Sequence, residues 1–132
     1  MFLNRLNQEE KVAFLELAHH IARSDGDFAD EEKAIIQTYC FEMQIDDIEY
    51  NEANFDIKQI LDKFQDKSRQ KILLLEIMAL IYSDGYLDES EQSVIDDIVA
   101  YFSFDKTLVK IYAEWTKSIL AISNQGELLL EL

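Results

Sequence analysis

The 132-residue chain has no proline, only three glycines and one cysteine, and its 12 lysines and arginines are outnumbered by 27 acids. Each scarcity excludes something. Without proline, no ring forces a helix to stop. A lone cysteine, Cys40, cannot form an internal disulfide, which points to a reducing, cytoplasmic compartment. A formal net charge of −15 repels phosphate backbones and anionic lipid surfaces. Nucleic acid is therefore not an expected partner, whereas cations and basic protein surfaces are. The longest apolar run, Ile72 to Tyr82, is interrupted by Glu76 and falls well short of the ~20 residues that span a bilayer. The N-terminal residues turn polar too early for a secretory leader.

What is present is helical periodicity. Phe14, Leu17, Ala18, Ile21 and Ala22 share one 3.6-period face, and Asn7 with Glu10 has the spacing of a capping box. Ile35, Ile36, Tyr39, Cys40 and Met43 form a second face. The stretch from Gln44 to Phe55 is weaker, with Asp46 and Glu49 at capping-box spacing for a short helical turn. Asp56 then heads a segment carrying Ile57, Ile60, Leu61 and Phe64. The helix predicted from about Ser68 to Ser83 is apolar on nearly every side, as a central helix is. Val94, Ile95, Ile98, Val99 and Phe102 make the next stripe. Leu108, Tyr112, Trp115, Ile119 and Ile122 make the last, capped by Asp105 and expected to break at Gly126. Cys40, Trp115 and the tyrosines read as core. Glu76 belongs either at the rim or buried against a lysine or a tyrosine hydroxyl.

Two glycines sit in matching stretches, "RSDGDFADEEK" (23–33) and "YSDGYLDESEQ" (82–92). Aligning Ser24-Asp25-Gly26 with Ser83-Asp84-Gly85 also aligns Ile21 with Leu80, Phe28 with Leu87, Glu32 with Glu91 and Ile35 with Val94. Such duplication predicts two pseudo-symmetric helix–Asp-Gly turn–helix repeats. The expected architecture is all-α: a single-domain bundle of about six helices over residues 1–132. Repeat 1 covers about 8–43, repeat 2 about 68–102, and a C-terminal helix about 105–122. Glycine tolerates the left-handed conformation that ends a helix, and Phe28 and Leu87 are placed to tuck inward. Asp88 and Glu91 form a capping box, whereas Ala29 holds the equivalent position in the first copy. Asp25 and Asp84 are harder to explain, because an acid in the last turn of a helix faces the negative end of its dipole.

This motif, Asp-Gly with an apolar residue two positions after the glycine and a glutamate seven after the aspartate, resembles the tellurite-resistance TerB family. The same helical domain occurs in membrane-anchored DjlA co-chaperones. The resemblance covers roughly residues 7 to 122. It implies a divalent-cation site formed by acids of the motif, carried onto Asp25, Glu32, Asp84 and Glu91. It also implies a non-enzymatic role in stress-response, tellurite-resistance-like assemblies. The sequence departs from the family in having Ser before Asp-Gly, and in setting Asp27 opposite Tyr86.

Two readings of these acids stand side by side. They serve as turn and cap, or they hold a cation. Two carboxylates about 4 Å apart repel by ~4 kcal/mol at intermediate dielectric, so converging loops would need a cation. Oxygen ligands would favour calcium or magnesium over zinc. The spacing is not that of an EF-hand. His19 and His20 point about 100° apart on a helix and cannot easily share a metal. No nucleophile elbow, phosphate-cradling loop or triad is evident. The expectation is a non-enzymatic module that docks a protein partner, basic in surface by charge complementarity. The competing expectation is an acidic immunity- or inhibitor-type protein with no metal site.

Overall fold

The computed structural model of the chain describes residues 1–24, 28–83 and 87–132. Asp25 and Gly26 of the first Asp-Gly turn, and Asp84 and Gly85 of the second, lie outside the described residues. Six α-helices occur among those described: α1 (Gln8–Ala22), α2 (Asp30–Met43), α3 (Ile57–Asp62), α4 (Lys67–Tyr82), α5 (Glu89–Phe102) and α6 (Lys106–Leu130). Short 3-10 turns cover Leu3–Arg5 and Glu52–Asn54. No strand is found among the described residues, so the protein is all-α.

The helix ends follow local chemistry. Asn7 accepts from the Glu10 amide and Glu10 reaches back to the Asn7 amide, a complete capping box. Asp88 and Glu91 repeat it at the start of α5. Asp56 caps α3 and Asp105 caps α6 through the amides of Lys58 and Thr107. Ala29 heads α2 with no side-chain cap. In place of a cap, α2 carries Asp30, Glu31 and Glu32 in its first turn, where the helix dipole favours them.

Several of these boundaries recur at the 59-residue spacing of the two matching stretches. Gln8 and Lys67, Asp30 and Glu89, and Met43 and Phe102 each begin or end corresponding helices 59 positions apart. The Ser24 hydroxyl donates to the Ile21 carbonyl (2.9 Å), and the Ser83 hydroxyl to that of Leu80 (2.7 Å). Both α2 and α5 close on a non-glycine residue in the left-handed region, Gln44 and Ser103, each at φ 56° and ψ 44°. The Ile45 amide then reaches the Cys40 carbonyl, and the Phe104 amide that of Val99. Both are the long backbone bond of a Schellman-type ending.

The chain divides into two compact units, Met1–Glu76 and Ile77–Leu132, with the boundary inside α4. In the first, α1 packs on α2 and α3, and α2 on the Leu3–Arg5 turn. Phe14, Leu17 and Ala18 of α1 are buried there, with Leu3, Ile36 and Leu61 from the elements around them. In the second, Ile77, Met78 and Ile81 of α4 and Ile95 and Ile98 of α5 are buried. Each such aliphatic side chain contributes about 1.5–3 kcal/mol over leaving it in water.

Five expectations are corrected. Gly126 does not interrupt α6, which runs on to Leu130. A glycine removes no amide donor and costs only ~1 kcal/mol against alanine, which the flanking helix formers absorb. Trp115 is 41% exposed, not core, and Leu87 is 40% exposed, not tucked in. Phe28 is half-buried, with the Arg23 guanidinium 3.9 Å from its ring centre. Residues 45–50 form no helical turn. The 3-10 turn lies later and is capped by Asn51, not Asp46. Glu76 is 2% exposed, and its partners are the backbone nitrogens of Met1 (2.9 Å) and Phe2 (2.7 Å), not a lysine or tyrosine. That carboxylate and Glu42 lie near the Tyr39 phenol, whose pKa is pushed well up, first by burial and then by the two charges.

Candidate functional site

Of the four acids singled out by the motif, Glu32 and Glu91 are described. Both occupy the third position of their helices, α2 and α5. The Glu91 carboxylate accepts from the Asp88 amide, as its capping box requires. The Glu91 amide and the Ser90 hydroxyl in turn hold the Asp88 carboxyl below its ordinary range. Glu32 has no such reciprocal arrangement, because alanine stands at its cap. Its Oε2 is buried and has no hydrogen-bond partner among the described residues. Asp25 and Asp84, the acids left without a local role, lie outside the described residues. Glu32 and Glu91 belong to different units, and no cluster of three or more His, Cys, Asp or Glu side chains fit to hold a metal occurs among the described residues.

A different constellation is built in the first unit, where residues 45–55 are clamped to the C-terminal half of α1. His19 is 2% exposed, and its Nε2 donates to Asp47 at 2.8 Å. That contact fixes the proton on Nε2 and leaves Nδ1 to accept from Arg23 Nε at 3.4 Å. The Arg23 guanidinium lies over the rings of Phe28 and Tyr50. His20, one position on, faces elsewhere. Its ring stacks on Phe55 with centres 3.8 Å apart, and its Nδ1 shares a hydrogen bond with the Tyr50 hydroxyl at 3.1 Å. Burial lowers the His20 pKa, opposed by the Glu52 charge. The 100° between adjacent helical residues thus lets two histidines grip two points of one loop.

That clamp shapes a groove. Between α1 and α3 runs a cavity of about 480 Å³, lined by Glu9, Val12, Glu16, Asp56, Gln59 and Lys63 among others. A second, of about 260 Å³, shares Glu16, Asn54 and Gln59 with it and adds Glu49, Tyr50 and Phe55. The floor is apolar, from Val12, Ala13 and Ile60. The rim carries four carboxylates: Glu9, Glu16, Glu49 and Asp56. The lining cation, Lys63, sits 3.8 Å from Glu9. Carboxylates, amides and two rings over an apolar floor suit an extended or helical segment bearing ammonium or guanidinium groups.

No paired base and nucleophile lines the groove. Half-buried Cys40 lies elsewhere, and its thiol is pushed up chiefly by burial, with Asp47 and Asp46 adding to it, which makes it a poor nucleophile. The sequence pointed to acidity in general but not to these acids. Glu9, Val12 and Glu16 do lie on one outer face of α1, the one local signal available. Their partners across the groove depend on where the 45–55 loop folds.

An all-α protein whose first unit carries an acidic groove over a histidine-clamped loop is the class defined by these features. Residues 2–55, which hold α1, α2 and that loop, match the family model of the tellurite resistance protein TerB. The match supports a TerB-like assignment for those residues, 54 of the chain's 132. No match was found among curated proteins or among solved structures. Among the described residues, no helix is long and apolar enough to cross a membrane.

Proposed function

We propose that this chain is a non-catalytic TerB-like module of the cytoplasm that docks a basic segment of a protein partner in a stress-response, tellurite-resistance-like assembly. The observation that carries this reading is the groove, where Glu9, Glu16, Glu49 and Asp56 rim an apolar floor. The net charge of −15 steers basic partners towards it. A lysine- and arginine-rich amphipathic peptide is the probe, titrated into isotopically labelled protein. Amide shifts are expected along α1 and α3, with affinity falling as salt rises. Glu16→Lys with Asp56→Lys is expected to abolish them. Shifts confined to other acidic surfaces, undiminished in that variant, would sink the groove reading and favour an immunity- or inhibitor-type protein that works through overall acidity.

A second element is divalent-cation binding at the Asp-Gly turns, through Asp25 with Glu32 and Asp84 with Glu91. It is favoured by the buried Glu32 Oε2, a carboxylate oxygen with no donor among the described residues. Oxygen ligands select calcium or magnesium before zinc. Calorimetric titration with each ion tests it. Heat with calcium or magnesium that falls in Glu32→Gln and disappears when Glu91→Gln is added supports the site, and no heat with any of the three removes it.

A further inference from the structure

The last helix carries two features that its own unit does not explain. Ile111, Ile122 and Leu129 are 58%, 60% and 67% exposed. At 3.6 residues per turn they fall within about 20° of one another, a line of exposed apolar side chains spread over about 27 Å with Ser118 and Gln125 between them. The buried face of α6 is a different one, centred on Thr116. An apolar line of this length left to water marks an association surface.

The second feature is charge order. α1, α2 and α5 begin with acids in their first turns, as the helix dipole favours. α6 begins with Lys106, followed by Lys110, and ends with Glu127 in its last turn and Glu131 just beyond. Past its Asp105 cap, the charged side chains of its first and last turns, Lys106 and Glu127, are the reverse of what the dipole favours. A neighbouring helix of the same sequence running the other way would reverse this. It would set lysines beside glutamates at each end and pair the dipoles head to tail. The overall acidity does not forbid such a pair. Lys106, Lys110 and Lys117 outnumber Glu114 and Glu127 within α6, so this helix is not acidic.

We propose that α6 is a self-association surface, on which two copies of this chain pair antiparallel along the Ile111–Ile122–Leu129 line. The symmetry is that of an isologous dimer, with the N-terminal half of each helix against the C-terminal half of the other. This surface lies in the second unit, and the acidic groove lies wholly in the first, so the two readings stand or fall separately.

Sedimentation velocity on the full chain over a concentration series tests it. Expected is a shift from monomer to dimer with rising concentration, lost in Ile122→Asp, an exposed position whose variant keeps its helical circular dichroism. Lys110→Glu should weaken the dimer at least several-fold, and Lys110→Glu with Glu127→Lys should recover it. Direction is read by oxidative crosslinking in a Cys40→Ala background. Ile111→Cys and Leu129→Cys proteins should crosslink when mixed, and neither with itself. A monomer at every concentration overturns the proposal, as does a dimer indifferent to Ile122→Asp. Crosslinking of each cysteine only to its own kind overturns the antiparallel arrangement.

Discussion

The twin left-handed endings of α2 and α5 allow a quantitative test. Gln44 and Ser103 sit at φ 56° and ψ 44°, a conformation costing about 1–2 kcal/mol for a residue with a Cβ. Both side chains are exposed, so truncating them forfeits little packing. The bonds that define each ending are backbone bonds and survive substitution: Ile45 to Cys40, and Phe104 to Val99. Glycine removes the strain but adds about 0.5–1 kcal/mol of unfolded-state entropy. The net gain expected for Gln44→Gly or Ser103→Gly is about 0.5–1 kcal/mol each. At about 2.1 cal/mol/K per residue, unfolding of 132 residues gives a Tm rise of about 2–4 °C per substitution.

Urea and thermal unfolding, with Gln44→Ala and Ser103→Ala as controls, provide the assay. Alanine retains the Cβ and should be neutral within about 0.5 kcal/mol. The two positions fall in different units, so the pair also reports on cooperativity. If the chain unfolds as one domain, the double variant gains the sum in a single transition. If the units unfold separately, each glycine moves only the transition of its own unit. Glycine variants no more stable than their alanine controls would refute the strain argument.

Three further outcomes follow from the same contacts. Ala29→Asp should complete a capping box with Glu32 and raise stability by about 0.5–1.5 kcal/mol by urea midpoint, and no gain would contradict an uncapped α2 start. Leu73→Ala, at a fully buried site in α4, should cost about 2–5 kcal/mol, and a loss below about 1 would contradict that burial. His20 has a folded-state pKa below 6.5, so near that pH the unfolded chain binds the proton more readily. Its contribution to stability is therefore complete above about pH 6.5 and is lost as pH falls through the lowered value. A ring titration by NMR with a midpoint at or above 6.5 would contradict the stacked, neutral imidazole.

What was readable in the sequence was local. The capping boxes at Asn7 and Asp88 lie within four residues, and so do the caps at Asp56 and Asp105. Periodicity placed the helices because each face repeats within a turn. Reach was the limit. Glu76 is satisfied by Met1 and Phe2, from the far end of its own unit, and no spacing rule pairs them. Periodicity also shows that a helix has an apolar side without saying which flank is covered. That is why Trp115 read as core although the buried face of α6 centres on Thr116. The groove acids were hidden for a third reason. Glu9 and Glu16 read as an ordinary solvated face until a loop forty residues away is laid beside them.

Why residues 45–55 form a loop while the matching positions lead into α6 can be argued from a few atoms. After the matching endings at Gln44 and Ser103, both copies place an aspartate at the same offset, Asp46 and Asp105. Asp105 caps a helix whose next residues, Lys106 and Thr107, continue it. In the first copy the residue after the aspartate is Asp47. Its Oδ1 accepts from the Ile48 amide at 2.8 Å and from His19 Nε2 at 2.8 Å. A short acidic side chain bonded to the next amide competes with helical hydrogen bonding, and the histidine holds the chain in that alternative. His19 has no counterpart in the second copy, where Met78 stands 59 positions on and is fully buried. His19 and Asp47 together therefore hold the 45–55 segment as a loop, where Met78 and Lys106 stand at the matching positions before α6. Replacing His19 by methionine with Asp47 by lysine should loosen the 45–55 loop and collapse peptide binding at Glu16 and Glu49. Circular dichroism should show helix gained, not lost, and an intact groove in that double variant would refute the account.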